Sequence, residues 1–393
     1  MLRPLDGITV VSFEQAIAAP FASRHLAEAG ARVIKVERPG EGDFARAYDT
    51  RVNGLCSHFV WVNRSKESLT LDIKHAQAPR ILDRLLTRAD VVIQNLAPGA
   101  ATRSGLGAEA LRAKFPRLIV CNISGYGDDG PYRDKKAYDL LIQAEAGVLS
   151  VSGTDEAPAK AGIPVADIAA GSYAYSSILN ALLLRGRTGV GATIDVSMLE
   201  SLAEWMGFPV YYTYAGAKPP PRAGASHATI YPYGPFQAGD GGTVVLGLQN
   251  EREWAIFCTE VLAQPELVQD SRFNGALARS DRRIELKAII EASFASMSAD
   301  QVVERLDRAK IGCARMNSPQ QIWDHPQLAA RAHWVDVPSP AGPIRNLRPP
   351  ARSDAYAPNL SAIPAVGEHT DAILAELEFS GAEIEVLRRA AAI

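Results

Sequence analysis

Short apolar runs alternate with amphipathic stretches along the first third of the chain. "ITVVSFE" (8–14) and "ARVIKVER" (31–38) have the composition of buried strands, and "FASRHLAEAG" (21–30) between them has that of a helix closed by Gly30, which makes a βαβ unit. The alternation continues with a strand in "SLTLDI" (68–73), a helix in "QAPRILDRLLTRA" (77–89) and a strand in "DVVIQNL" (90–96). A helix around "EALRAKF" (109–115) and a strand in "RLIVCNIS" (117–124) follow. Strands separated by helices imply an α/β fold with a doubly wound, mostly parallel, Rossmann-like sheet. The texture changes after about residue 200, where "AGAKPPPRAGASH" (215–227) forms a Pro/Gly-rich connection ahead of short strands in "PYGPFQAGDGGTVVLGL" and then helices. The expected organisation is a large domain over 1–215, a smaller α+β domain over 225–325, and a segment over 326–393 that returns to the large domain. Near the end, "AILAELEFSGAEIEVLRRA" reads as two amphipathic helices broken at Ser380-Gly381.

One polar residue interrupts an otherwise small and apolar stretch. In "KAGIPVADIAAGSYAYSS" (160–177), Asp167 sits among Ala and Gly just before the helical run "ILNALLLR". Two compatible readings follow. Asp is a favoured helix N-cap because its carboxylate accepts an unpaired backbone N–H. It is also a nucleophile when ionised, and the positive end of a helix would hold it ionised. Ala166, Ala169, Ala170 and Gly171 would then let a substrate approach closely.

Composition narrows the chemistry. Apolar residues make up 47% and charged ones 22%, the balance of a globular protein, and 393 residues exceed one ordinary core. A net charge of −3 gives no basic excess for a nucleic-acid partner. The start "MLRPLDGITVVSFEQ" has charges and a proline where a secretory signal needs an apolar run, and no apolar stretch has the length of a membrane span. A cytoplasmic protein without a membrane partner is therefore expected. Cys56, Cys121, Cys258 and Cys313 form no CxxC pair, so neither a disulfide framework nor a metal site is expected.

The string "GYGDDG" (125–130) matches GxGxxG after a strand, yet Asp128 and Asp129 would repel a pyrophosphate. The "PYRDKK" beyond it opens no amphipathic helix. Ligands of an open parallel sheet still belong at the carboxyl ends of its strands.

Those strand ends form an ordered series: "FEQAIAAP" (13–20), "VERPGEGDFAR" (36–46), "VNRSKESLTLDIK" (62–74), "QNLAPGAATRSGL" (94–106) and "ISGYGDDGPYRDKKAYD" (123–139). "VADIAAGSYA" and, much later, "GCARMNSPQQIWDHPQLAAR" (312–331) complete it. The series resembles the family III CoA-transferases, the group that includes formyl-CoA and carnitine CoA-transferases and the alpha-methylacyl-CoA racemases, over nearly the whole chain. The resemblance implies that coenzyme A thioesters are substrates, that no permanently bound cofactor or metal is needed, and that two chains form an intertwined homodimer. It implies contacts to CoA from Arg38, Leu71, Asp72, Ile73, Lys74, Asn95, Leu96, Ala97, Arg103, Lys136, Ala137 and Tyr138. Four of these, Arg38, Lys74, Arg103 and Lys136, are cations suited to an anionic ligand. Asn95 and Tyr138 read equally as loop and core residues.

The resemblance further places Asp167 as the nucleophile. Its carboxylate would form a mixed anhydride with the donor acyl group and then an aspartyl-CoA thioester, with the Gln15 side chain and the Ala16 backbone N–H as oxyanion donors. Without the resemblance, Gln15 reads equally as a strand-end turn residue. Racemases of the group carry a His before the Asp in a "GHD"-like string, whereas this chain has "AYD", with Tyr138 in that place. A tyrosine with its high pKa is a poor acid/base substitute.

Arg222, Ser226 and His227 at the opening of the small domain are candidates for the far carboxylate of an acyl group, with Arg46, Arg64 and Lys66 as further candidates. Packing between domains is their alternative role. The expected reaction is transfer of CoA from succinyl-CoA to a short dicarboxylic acid such as itaconate, mesaconate, malate or citramalate. A racemase and a non-catalytic acyl-CoA binding protein are the alternatives.

Overall fold

The computed structural model of the chain describes residues 2–393. They form two compact units. The first comprises the residues up to Gly147 together with Ala161–Gly207 and Ala330–Ile393.

Its core is a six-stranded, wholly parallel sheet in the order β3-β2-β1-β4-β5-β6. The strands are β1 (Thr9–Phe13), β2 (Arg32–Glu37), β3 (Lys66–Thr70), β4 (Val91–Gln94), β5 (Ile119–Ser124) and β6 (Thr193–Ser197). Val10, Val11, Val91, Val92, Ile93, Ile119 and Val120 are fully buried, as a sheet covered on both faces requires. The order reverses direction between β1 and β4, and such a switch point is where open parallel sheets bind ligands, outside the carboxyl ends of the strands. Helices α1 (Ala18–Glu28), α2 (Ala78–Thr87), α3 (Asp139–Glu145) and α4 (Val165–Thr188) are the main helices of this part of the chain.

Two strands depart from the sequence pattern. The β3 strand begins at Lys66 and ends at Thr70, earlier than the apolar run suggests, because Lys66 and Ser68 are buried polar residues. The β6 strand, "TIDVS", carries little apolar signal because it is an edge strand with Thr193 and Asp195 exposed.

The second unit comprises Val148–Lys160 and Phe208–Ala329. Val148–Lys160 therefore departs from the expected run of the large domain to residue 215. Here β7 (Tyr233–Gln237), β8 (Thr243–Gly247) and β9 (Gly312–Arg315) form an antiparallel sheet. It shares a core with α5 (Arg283–Phe294) and α6 (Ala299–Arg308), built around Trp254, Phe257, Phe273 and Phe294.

After Ala330 the chain belongs again to the first unit. It forms a hairpin of β10 (Trp334–Val337) and β11 (Ile344–Leu347), then α7 (Thr370–Glu376) and α8 (Gly381–Arg389). The segment between them runs along the free edge of β3. Ser65 N–H donates to the Ala362 carbonyl at 2.8 Å and Thr70 N–H to Thr370 Oγ1 at 2.9 Å, so this edge offers no template for strand addition. Among the described residues, no helix is long and apolar enough to cross a membrane.

Candidate active site

Asp167 lies in the first turn of α4, three residues after the N-cap position, which Pro164 occupies. It is not the cap. That role falls to Asp139 at the start of α3, whose Oδ1 accepts the N–H groups of Ala166 at 2.8 Å and Asp167 at 3.4 Å. The other Asp139 oxygen accepts from Gln143 Nε2 at 2.6 Å. With a second carboxylate already satisfying the helix start, Asp167 is left for other work.

The helix field does not hold Asp167 ionised. Burial, and then the negative charge of Asp139, raise its pKa from 3.8 to about 7, against the opposing pull of a hydrogen bond from the Ala18 backbone N–H. Ala18 is the first residue of α1, so the nucleophile candidate faces the positive end of a second helix. Among the described residues, no Lys or Arg pairs with it.

The small residues around Asp167 serve packing rather than substrate access. Ala166, Ala169, Ala170 and Gly171 are buried. A Cβ on Gly171 would come within 2.6 Å of the Ala18 carbonyl oxygen, so glycine there is what lets α4 lie against the start of α1 and bring Asp167 to the Ala18 N–H.

The turn after β1 is held from two sides. Asn95 Oδ1 accepts the Gln15 N–H at 2.9 Å while Asn95 Nδ2 donates to the Gln15 carbonyl at 2.8 Å. The Asn95 side chain, expected at CoA, braces this turn instead. Ala16 has a left-handed backbone, φ 61°, and its N–H donates to Asp43 Oδ1 at 3.2 Å. Ala16 N–H is thus already engaged, and the backbone donor presented to Asp167 is that of Ala18. Among the described residues, the Gln15 side-chain amide makes no hydrogen bond. Tyr48, which the sequence reading passed over, shares this neighbourhood: burial and the charges of Asp43 and Asp167 raise the pKa of its hydroxyl.

The remaining candidates from the first unit fall into two groups. Arg38, Ile73, Lys74, Ala97, Arg103, Lys136, Ala137 and Tyr138 follow the carboxyl ends of β2, β3, β4 and β5. Arg38, Lys74, Arg103 and Lys136 are exposed, and among the described residues none pairs with a carboxylate; Arg103 makes only a 3.5 Å bond to the Pro98 carbonyl. Leu71, Asp72 and Leu96 are engaged in the fold. Leu71 is a core side chain, Asp72 Oδ1 accepts the Lys74 N–H at 3.0 Å, and Leu96 packs on the core while donating its N–H to Gln94 Oε1 at 2.8 Å.

The second group is corrected outright. Arg46 forks onto Glu37 with bonds of 2.8 and 2.7 Å and stacks on the Phe59 ring, its Cζ 3.6 Å from the centroid. Arg64 is buried against Glu28, and Lys66 against Glu14. None of the three is free to hold a substrate carboxylate, because each already satisfies a protein carboxylate.

In the second unit, Arg222 donates to the carbonyls of Thr154 at 2.7 Å and Asp155 at 3.0 Å, so it ties its own loop to the Val148–Lys160 segment of the same unit. His227 stacks on Tyr233 with ring centroids 5.3 Å apart. Its Nδ1 accepts the N–H groups of Thr229 at 3.2 Å and Ile230 at 3.0 Å, so Nε2 carries the proton as a donor. Ser226 N–H donates to the Ala223 carbonyl at 3.0 Å in the same loop.

Asp49, Cys56 and His58 place potential metal-ligand atoms within 4.8 Å of one another. The Asp49 carboxylate there accepts Ser57 N–H at 2.9 Å and Ser57 Oγ at 2.6 Å, which accounts for the cluster as a cap of the short helix Ser57–Val62.

Comparison with known proteins gives this arrangement a family. Residues 5–370 match CoA-transferase family III. The chain is 32% identical over 396 residues to the succinyl-CoA:glutarate CoA-transferase of Mus musculus, covering 98% of this chain and 89% of that one. It is 30% identical over 388 residues to the succinyl-CoA–D-citramalate CoA-transferase of Chloroflexus aurantiacus, covering 95% and 94%. A CAIB/BAIF family protein from Brucella suis, known from a crystal structure, matches with a TM-score of 0.87 at 33% identity, covering 96% of this chain and 100% of that one. By sequence and by fold, the chain belongs to CoA-transferase family III and is an enzyme of that type.

Proposed function

We propose that the protein moves CoA from succinyl-CoA to a short dicarboxylic acid, with Asp167 carrying the activated acyl group. The observation that supports this most is Asp167 itself: a partly buried carboxylate with no cation partner among the described residues, met by the Ala18 N–H at the start of α1. Its oxygen attacks the donor thioester carbonyl, the C–S bond breaks, and a mixed anhydride and CoA thiolate result. The thiolate then attacks the aspartyl carbonyl, releasing succinate and leaving an aspartyl-CoA thioester. The acceptor acid reverses both steps. Activation stays covalent throughout, so ATP has no role, and exclusion of water is what the site must supply.

In this reading Arg38, Lys74, Arg103 and Lys136 meet the phosphates of CoA, since they are exposed cations at strand ends that, among the described residues, pair with no carboxylate. The distal carboxylate of the acid falls to His227 Nε2 and Ser226. Both named relatives act on dicarboxylates, glutarate and D-citramalate, which favours that class of acceptor. The enzyme works as an intertwined homodimer in the cytoplasm. In support of the dimer, Leu183 and Leu184 on α4 are 67% and 55% exposed, an apolar face that a partner chain would cover.

A panel of acceptor acids against succinyl-CoA, with chromatographic detection of new thioesters, tests the proposal. Glutarate, citramalate, malate, itaconate and mesaconate belong in it, beside monocarboxylates of equal length. New thioesters with dicarboxylates are expected. None with any dicarboxylate would refute it, and solvent deuterium entering the alpha position of a 2-methylacyl-CoA would favour a racemase.

A further inference from the structure

Under the Gln15–Ala16 turn lies a set of charged side chains that are fully buried: Glu14, Lys35, Asp43 and Lys66. Lys66 Nζ donates to Glu14 Oε1 at 2.6 Å, to the Pro20 carbonyl at 3.0 Å and to Asn63 Oδ1 at 3.0 Å. Lys35 Nζ donates to Asp43 Oδ2 at 2.8 Å and, at greater length, to Glu14 Oε1 at 3.4 Å. Asp43 Oδ1 then accepts two backbone N–H groups, Ala16 at 3.2 Å and Ala45 at 2.9 Å. Asp43 is itself held by Glu37 Oε2, which accepts its N–H at 2.9 Å and also takes the Arg46 fork.

Apolar side chains of similar volume stabilise a core at least as well as buried charges, so stability alone does not explain this set. Geometry does. A non-glycine residue in the left-handed region is strained and persists only where its surroundings over-determine it. Ala16 is that residue, and Asp43 is the acceptor of its N–H.

We propose that Asp43 is a positioning residue: together with Asn95 it clamps the Gln15–Ala16 turn so that the Gln15 amide and the Ala18 N–H face Asp167. A carboxylate is needed, because it accepts from two N–H groups and an ammonium at once. An asparagine would turn an NH₂ against Lys35. The inference rests on reading Asp167 as the nucleophile.

The test uses the full chain, with Asp43→Asn as the first variant and the Lys35→Met/Asp43→Ser pair as the second. The pair leaves Glu14 matched with Lys66 and no buried charge alone, and Ser keeps the cap on Ala45. Arg185→Met serves as the control. It removes a buried guanidinium, bonded to Asp90 at 2.9 Å, at the opposite end of α4. Melting, CoA affinity and single-turnover CoA transfer are measured together with Asp167→Ala. The expected result for both Asp43 variants is a kcat lower by ~10–100-fold, as misplacement of a catalytic group by about an ångström gives. CoA affinity should stay within about twofold, and the control should lose melting temperature without losing kcat. Wild-type kcat in either folded Asp43 variant, with Asp167→Ala inactive, overturns the inference alone; an active Asp167→Ala overturns the reading beneath it. If the single variant does not fold, the pair decides.

Discussion

Two carboxylates in the first unit meet opposite fates. At Glu14, burial opposes ionisation, but the ammonium groups of Lys66 and Lys35 overcome it and hold the pKa down at about 2. At Asp167, burial acts with a like charge on Asp139, and the pKa rises to about 7. Burial pushes both the same way, so the neighbours decide. Glu14 is a fixed charge that shapes the turn, whereas Asp167 can give up or take a proton near neutrality and has an unpaired oxygen to offer. The difference separates a structural carboxylate from a reactive one.

The largest expected effect tests the reactive side. Asp167→Asn keeps an acceptor for the Ala18 N–H yet removes the nucleophile, and transfer should fall by roughly three orders of magnitude or more. Stability should move the other way. A carboxyl whose folded pKa is about 7 and whose ordinary value is 3.8 binds its proton more tightly when folded, so wild-type stability falls as pH rises from about 4 to about 7. The variant lacks that loss, and thermal melts should show it more stable by on the order of 4 kcal/mol at pH 8, with the gap closing by pH 4. A variant melting lower at pH 8 would mean that Asp167 is a structural group.

On the structural side, Lys66→Met leaves Glu14 buried with Lys35 at 3.4 Å as its remaining cation. Loss of about 3 kcal/mol is expected in denaturant titrations. Gly171→Ala probes the contact that brings the two helices together. Its new Cβ, 2.6 Å from the Ala18 carbonyl oxygen, should cost about 1–3 kcal/mol and lower kcat as the Ala18 N–H moves off Asp167. The smallest change is Asp139→Ala. Losing the borrowed cap should cost about 1 kcal/mol, and removing the like charge should shift the acidic limb of the kcat/KM profile to lower pH.

The contrast between the two carboxylates also marks what sequence could disclose. Apolar periodicity placed β1, β2, β4 and β5, and with them the strand ends where the candidate residues collect, because buried parallel strands are near-continuous apolar runs. It could not place Glu14, Lys35, Asp43 or Lys66, since a buried charge satisfied by another buried charge looks in sequence like a solvated one. The same blindness moved β3 and turned Arg46, Arg64 and Lys66 into substrate candidates. Asp167 stood out because it interrupts small residues, but its cap, Asp139, lies 28 residues away along the chain, a pairing visible only in three dimensions. Asn95 was legible as a strand-end residue, while its two bonds to Gln15 follow from the neighbouring of β1 and β4.

The most direct test of Asp167 as the covalent carrier is to incubate the protein with succinyl-CoA, quench with hydroxylamine, and map the modified peptide by mass spectrometry. A hydroxamate on Asp167, absent from the Asp167→Asn variant and dependent on the CoA thioester, is the result predicted here. Transfer activity with an unmodified Asp167, or a hydroxamate on another carboxylate, would contradict it.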